Sequence, residues 1–264
     1  QPRPGLLCAC LPTEHVTGLP FHVNADFFPS NDRKRVLLVD DYQSEWNRAA
    51  LRAAATAFGE SLTTLASELT PQRLWATIQT IKDVSDAQRE GGEPTLTEFW
   101  TALQPKLATE KVIYTSQDQW VASKNACYLL QHEEMRSASI LEDLGIAVVH
   151  EDLRSYQNVL TEKSVGVAVL NVERLCAALR SRGLDERTPH DNLPASLSDT
   201  ESRDTLWAEI ALLRGRQRGP QAKADDDRRL RAMALAPGRD FALWPLQDIY
   251  RADGSTQSLF AMLQ

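Results

Sequence analysis

Several groups of residues in this 264-residue chain have types and spacings suited to chemistry. The run Val36-Leu37-Leu38-Val39-Asp40-Asp41 is apolar and ends in two carboxylates. Paired carboxylates at a strand end can hold Mg²⁺ beside an aspartate that accepts phosphate. That chemistry also needs a second strand-terminal Asp and a strand-terminal Lys. Asp83 lies at a suitable distance, but it closes a helical stripe, and no Lys follows in the right place. The plainer reading makes Asp40 or Asp41 the cap of the helix that carries Trp46. Cys8, Cys10, His15 and His22 include two thiols and two imidazoles. Their spacing, C-x-C-x₄-H-x₆-H, is not that of a common structural zinc site. Two basic runs, Arg33-Lys34-Arg35 and Arg214 to Arg218, are suited to phosphate contacts or to simple solvation. Asp225-Asp226-Asp227 follows the second run and weakens a nucleic-acid reading of it.

Other catalytic patterns are missing. The chain has no G-x-S-x-G, no H-E-x-x-H and no catalytic cysteine signature. His132 begins a predicted helix, His150 ends a predicted strand, and His190 lies in a Pro-containing loop, each without a partner that spacing identifies. Gly91-Gly92 has no strand before it and reads as a linker, not as a phosphate loop. Trp46, Trp75 and Trp100 fall on apolar helical stripes and read as core.

The elements that must position these groups follow from periodicity. Residues 1–20 read as an irregular or edge segment. Phe21, Val23, Ala25 and Phe27 alternate with His22, Asn24 and Asp26, the pattern of a half-buried strand. Pro29 to Asp32 is turn chemistry, and Val36 to Val39 is a second strand, so 21–39 reads as a hairpin. Helices follow. One carries Trp46, Ala50, Ala53 and Ala57 on its core face. A second starts at Thr70-Pro71. A third starts with Thr95 and Glu98 as a capping box, and Pro105 should kink or end it. Val112 to Tyr114 and Trp120-Val121 read as a hairpin, Glu133 to Leu144 as a helix closed by Gly145, and Ile146 to Val149 as a strand. Asn171 caps a further helix that Gly183 closes. Ser198 to Leu213 is amphipathic. Gly215 to Asp227 is polar and reads as a mobile loop. The sum is an α+β chain: residues 1–107 form a mixed sheet with helices, and residues 108–264 a second, smaller α/β unit with a helical C-terminal part.

Composition bounds the function classes. The formal net charge is -7, which argues against broad electrostatic binding to nucleic acid or to an anionic membrane. Four cysteines fit a reducing cytoplasm better than a secreted disulfide scaffold. No apolar run approaches the roughly 20 residues of a membrane span. The chain opens Gln-Pro-Arg-Pro without an initiator Met and reads as a piece of a longer protein.

Thr17-Gly18-Leu19-Pro20-Phe21-His22-Val23-Asn24-Ala25-Asp26-Phe27-Phe28 resembles the G-L-P-x-H-V-N-x-x-F segment of the sacsin-like (and NO VEIN-like) GHKL family. In that family an Arg-rich turn follows, then a Trp-Asn at the start of a helix. Asn31 to Arg35 and Trp46-Asn47 take those places here. Ala25 stands where the family has Gly, and Lys34 where it has a second Arg. Tyr114, Trp120-Val121, Leu144-Gly145-Ile146 and Val167 to Leu179 match more loosely.

The resemblance implies a middle or transducer domain that follows a heat-shock-chaperone-type ATPase domain. The asparagine-bearing helix, DxGxG motif and Gly-rich lid of that ATPase are absent here, so the resemblance places the nucleotide site upstream. It makes Arg33, Lys34 and Arg35 the candidate catalytic contacts to the γ-phosphate of ATP bound next door. No cofactor or metal is expected in this chain itself; ATP and Mg²⁺ belong to the full-length protein. Expected partners are the upstream ATPase domain and client proteins, with no membrane or nucleic-acid partner. The implied function is an ATP-dependent chaperone-like or remodelling module. A non-catalytic interaction scaffold and a receiver-like signalling domain are the alternatives.

Overall fold

A computed structural model describes residues 4–38, 42–91, 95–129, 135–216, 219–238 and 242–248. The chain is of the α+β class. It divides into two compact units, Gln1–Ala126 with Val149–Ala168, and Cys127–Val148 with Val169–Gln264. The boundary expected at residue 108 falls inside the first unit. No helix among the described residues is long and apolar enough to cross a membrane.

The first unit opens with strands, and residues 1–20, read as an irregular or edge segment, supply an edge strand and the strand beside it. β1 (Leu6–Ala9) and β2 (Leu11–Val16) pair antiparallel, and β3 (Val23–Asn24) lies parallel on the other side of β1. The expected hairpin of residues 21–39 is therefore not the pairing that forms. The chain bends after Ala25, where Phe27 N–H bonds the Ala25 carbonyl, and this ends β3 after two residues. Among the described residues the expected hairpin is reduced to one antiparallel bridge, Pro29 to Val36, with hydrogen bonds from Ser30 N–H to the Arg35 carbonyl and from Leu37 N–H to the Phe28 carbonyl on either side of it. Val39, Asp40 and Asp41 lie outside the described residues.

Three helices cover the unit: α1 (Tyr42–Glu68), α2 (Pro71–Gly91) and α3 (Thr95–Thr109). The Thr70 hydroxyl accepts from Arg73 N–H and Pro71 takes the first turn, as its sequence suggested. Phe99, Trp100 and Leu103 are buried as expected, but Trp46 is 48 % exposed. The core face of α1 is Ser44, Asn47, Leu51, Ala55, Gly59, Leu62 and Ala66. Two leucines outweigh an alanine stripe in transfer free energy, so α1 turns Leu51 and Leu62 inward and leaves the alanines outside. Glu98 pairs with Arg48 and Arg52 of α1, and the Thr95 side chain of the expected capping box lies outside the described residues. α3 runs through Pro105 without ending, with Leu103 and Leu107 fully buried on either side of it. A β4–β5 hairpin (Lys111–Tyr114 and Trp120–Ala122) completes the expected pair, and Trp75 Nε1 donates to the Val112 carbonyl at 2.8 Å. A short helix α5 (Gln157–Leu160) lies in the same unit.

The second unit has a three-stranded sheet in the order β7 (Ala147–Val148), β6 (Ala126–Tyr128), β8 (Ala168–Val169). The short strands are edged by α4 (Met135–Asp143), closed by Gly145 at φ +85°, and α6 (Val172–Ser181). Asn171 Oδ1 caps α6 by accepting from Arg174 N–H at 2.9 Å. α7 (Thr200–Gly215), capped by Asp199, and a small pair of strands, β9 (Ala234–Pro237) and β10 (Leu243–Pro245), join one core with them. The expected mobile loop at 215–227 is in large part a helix, α8 (Pro220–Arg231). Gly219 at φ +101° and Pro220 at the first helical position start it, and Asp225–Arg228 and Asp226–Arg229 pairs at i,i+3 support it.

Two outcomes follow for stability. A Cβ at Gly59 would stand 2.6–2.7 Å from Cγ and Cβ of Lys106, near the rigid end of that side chain. Gly59→Val should therefore separate α1 from α3 and lower stability by about 1–3 kcal/mol in urea unfolding. Glu209 on α7 is 8 % exposed, and burial pushes its carboxyl above the usual range while Arg216 pulls it back. The folded chain then holds the proton more tightly than the unfolded one, so the ionised form opposes folding above the ordinary Glu pKa. Glu209→Gln should raise the Tm at about pH 7.5, and the gain should vanish as the pH falls below about 4.

Candidate functional site: a clamped basic turn

Residues 28–38 lie outside the named strands, joined to one another across the Pro29–Val36 bridge and otherwise held by individual hydrogen bonds. Within the turn, Ser30 N–H bonds the Arg35 carbonyl and Arg33 N–H bonds the Ser30 carbonyl, both at 2.7 Å. The Asp32 carboxylate accepts from the Ser30 hydroxyl at 2.5 Å and from Lys34 N–H at 3.1 Å. These bonds, the Ser30 hydroxyl first, hold the Asp32 carboxyl below the usual carboxylate range. Arg35 N–H reaches the Ser30 hydroxyl oxygen at 3.1 Å. Arg33 sits at φ +58°, a left-handed conformation uncommon for a side chain of its size.

Asn47 fixes the turn from below. It is fully buried, and its Oδ1 accepts from Phe28 N–H at 2.6 Å. Its Nδ2 donates to the carbonyls of Phe28 and Leu37 at 2.8 and 2.7 Å. One carboxamide thus spans both ends of the loop, and one acceptor with two donors is the only orientation that satisfies all three groups. Trp46 Nε1 donates to the Asp26 carbonyl at 2.7 Å, and Arg48 Nη2 to the Leu38 carbonyl at 3.0 Å. On the β2 side, Glu14 N–H bonds the Lys34 carbonyl, and His15 Nδ1 accepts from Val36 N–H at 3.2 Å.

The structure brings the three candidate cations together on this turn, and all three are exposed. Arg33 Nη2 touches the Ala9 carbonyl at 3.3 Å. Lys34 Nζ stands 3.7 Å from a Glu14 carboxylate, with both side chains more than half exposed, so the pair holds it weakly. Among the described residues no carboxylate lies within ion-pair distance of the Arg35 guanidinium. The N–H groups of Arg33, Lys34 and Arg35 are all taken up inside the turn. An anion bound here would meet side-chain charge alone, not a nest of main-chain donors.

The exposed apolar residues lie in the same stretch of chain. Leu11, Val16, Phe28, Tyr42 and Trp46, the exposed large hydrophobic residues among those described, all fall between positions 11 and 46. An open groove of 670 Å³ runs beside Cys10, Asn24, Asp26 and Trp46 along the alanines of α1. Sequence reasoning missed this groove because it assigned those alanines to the core.

The other candidates are not assembled. His22 Nδ1 accepts from Leu6 N–H at 2.9 Å, and Cys8 is buried while Cys10 is exposed. Among the described residues no group of three His, Cys, Asp or Glu side chains is arranged for a metal ion. Asp83 sits on α2 and accepts from Gln79 Nε2 at 2.6 Å, so it ends no strand. His150 caps a short helical turn by accepting from Asp152 N–H at 3.1 Å, and His190 is half exposed in a second. His132 lies outside the described residues. Arg214 pairs with Asp227 at 2.7 Å, and residues 217–218 are not described.

No protein-family model, no curated protein and no solved structure matches this chain.

Asn47→Ala should free both ends of the turn. Three hydrogen bonds vanish from a buried position, a loss of about 2–4 kcal/mol. Trypsin should then cut after Arg33, Lys34 or Arg35 under native conditions faster than in the unaltered chain. Equal cleavage rates would show that the turn is held by other contacts.

Proposed function

We propose that the first unit is the coupling face of an ATP-dependent, chaperone-like or remodelling protein, and that Arg33, Lys34 and Arg35 reach a nucleotide held by a neighbouring GHKL-type ATPase domain. The observation that carries this reading is an exposed cationic turn, hydrogen-bonded at both ends by buried Asn47, with exposed Phe28 and Trp46 at its base. Folding alone does not call for that combination. Surface charges on a turn contribute within about 0.5 kcal/mol each to stability, so they need no three-bond clamp beneath them. A clamp matters when the position of a charge matters. A γ-phosphate develops and redistributes negative charge during transfer, and a cation held in place lowers that barrier without reorganising. The apolar residues around the turn fit docking against another protein surface, which is where such patches concentrate. Within the same reading the ATPase domain holds ATP and Mg²⁺, and client proteins engage elsewhere.

The test is steady-state ATP turnover by the full-length protein carrying Arg33→Ala, Lys34→Ala or Arg35→Ala. Loss of a γ-phosphate cation should lower turnover on the order of a hundredfold in at least one variant, with ATP affinity much less altered. Residues 1–264 alone should bind ATP weakly or not at all by calorimetry. Unchanged turnover in all three variants leaves the turn as a protein-interaction element without a catalytic part.

A further inference from the structure

Helix α8 is attached to its unit in an unusual way. Of its 12 residues only Asp226 and Leu230 are buried. Leu230 enters the core shared with Leu175, Leu179 and Ile210. Asp226 is 3 % exposed; its Oδ1 stands 3.3 Å from Arg229 Nη1, and its Oδ2 is buried with no hydrogen-bond partner. Ion pairs that link α8 to its neighbours among the described residues include one to α7 and one to α6. Arg214 Nε of α7 lies 2.7 Å from Asp227 Oδ1, and Arg229 Nη2 lies 3.9 Å from Glu173 Oε1 of α6. The Arg214 N–H is not aimed at the carboxylate and makes no hydrogen bond, and Arg216 Nη1 is also buried without one.

Most helices are held by an apolar face rather than by their own hydrogen bonds. Here that face is a single leucine. Partly exposed ion pairs add little and are screened by salt. A buried carboxylate oxygen without a donor opposes docking, because water would satisfy it. The terms for and against docking α8 are therefore of similar size, whereas the core beneath it is held by many apolar side chains. We propose that α8 is a latch: it lifts from α6 and α7 while the rest of the unit stays folded, and so uncovers the face of α6 that carries Cys176. Opening of this local kind is expected where few apolar contacts hold an element. α6 and α8 pack directly, and the Cys176 thiol feels the charges of Asp226 and Arg229 on α8.

Two thiols make the opening measurable. Cys176 and Cys127 are both fully buried in this unit, and burial pushes both thiols up to about 11. Only Cys176 lies beside α8, so Cys127 reports opening of the whole core. The experiment is iodoacetamide labelling of the whole chain, read for each cysteine by peptide mass spectrometry, at low salt and at about 1 M NaCl, where the screening length is near 3 Å. Cys176 should label about tenfold faster than Cys127 or more, and the gap should widen in salt. Asp227→Ala, which removes the Arg214 pair at a partly exposed position, should speed Cys176 alone. Asp226→Leu, which replaces the unpartnered carboxylate, should slow it by about tenfold with Cys127 unchanged. Equal rates at the two cysteines, or a Cys176 rate that ignores both salt and Asp227→Ala, would overturn the latch.

Discussion

Between Asp26 and Leu38 the chain has left its sheet, and its peptide groups must find partners one by one. Buried main-chain groups without partners are rare because each costs about as much as a lost hydrogen bond. Asn47 resolves this for both ends of the segment with a single side chain, and it does so from a helix already fixed by Leu51 and Leu62. The order of dependence is clear. The helix packs on its leucines, and its first turns present Trp46, Asn47 and Arg48 to four carbonyls and an N–H of the loop. The geometry of the basic turn is inherited from the core through that one helix end.

The same helix explains the exposed surface. α1 has two apolar stripes, one with leucines and one with alanines, and only one of them can face α3. Transfer free energy decides for the leucines, and Gly59 lets α3 approach closely on that side. Trp46 is then left at the rim, where its indole N–H bonds Asp26 and its ring meets Phe28 edge-on at 6.0 Å. An exposed Trp with a satisfied N–H is a stable arrangement in a monomer and a suitable anchor in a complex.

How much of this could be read from residue order varies with the range of the interaction. Local signals carried well: Thr70-Pro71, Asn171 with Gly183, and the β4–β5 hairpin formed where capping and alternation placed them. Pairings between distant segments did not. The alternation at 21–27 identified inward-facing Val23 and Phe27 but not the strand they would join, because β1 lies in a segment whose Pro and Gly content hides its pairing. The charge run before α8 concealed a helix because hydrophobic periodicity is nearly absent there, while Gly219-Pro220 and the i,i+3 pairs were the signals that remained. The turn itself was visible as Arg33-Lys34-Arg35. Its clamp was not, since nothing local in the sequence tells a buried Asn with three partners from one on the surface.

Charge is used in opposite ways in the two units. On the basic turn the cations stand in water, where they are inexpensive, and the neutral Asn47 amide beneath them supplies the rigidity. In α8 the charges are themselves the attachment, and one of them, Asp226, is taken out of water without full compensation. A neutral buried clamp is insensitive to salt, and it fixes geometry. A partly exposed ionic attachment is screened and reversible. The first arrangement suits a group whose position must be constant through a reaction. The second suits an element whose position is meant to change, and α8, with Asp226 buried on it and one leucine anchor, has the energetics of the second kind.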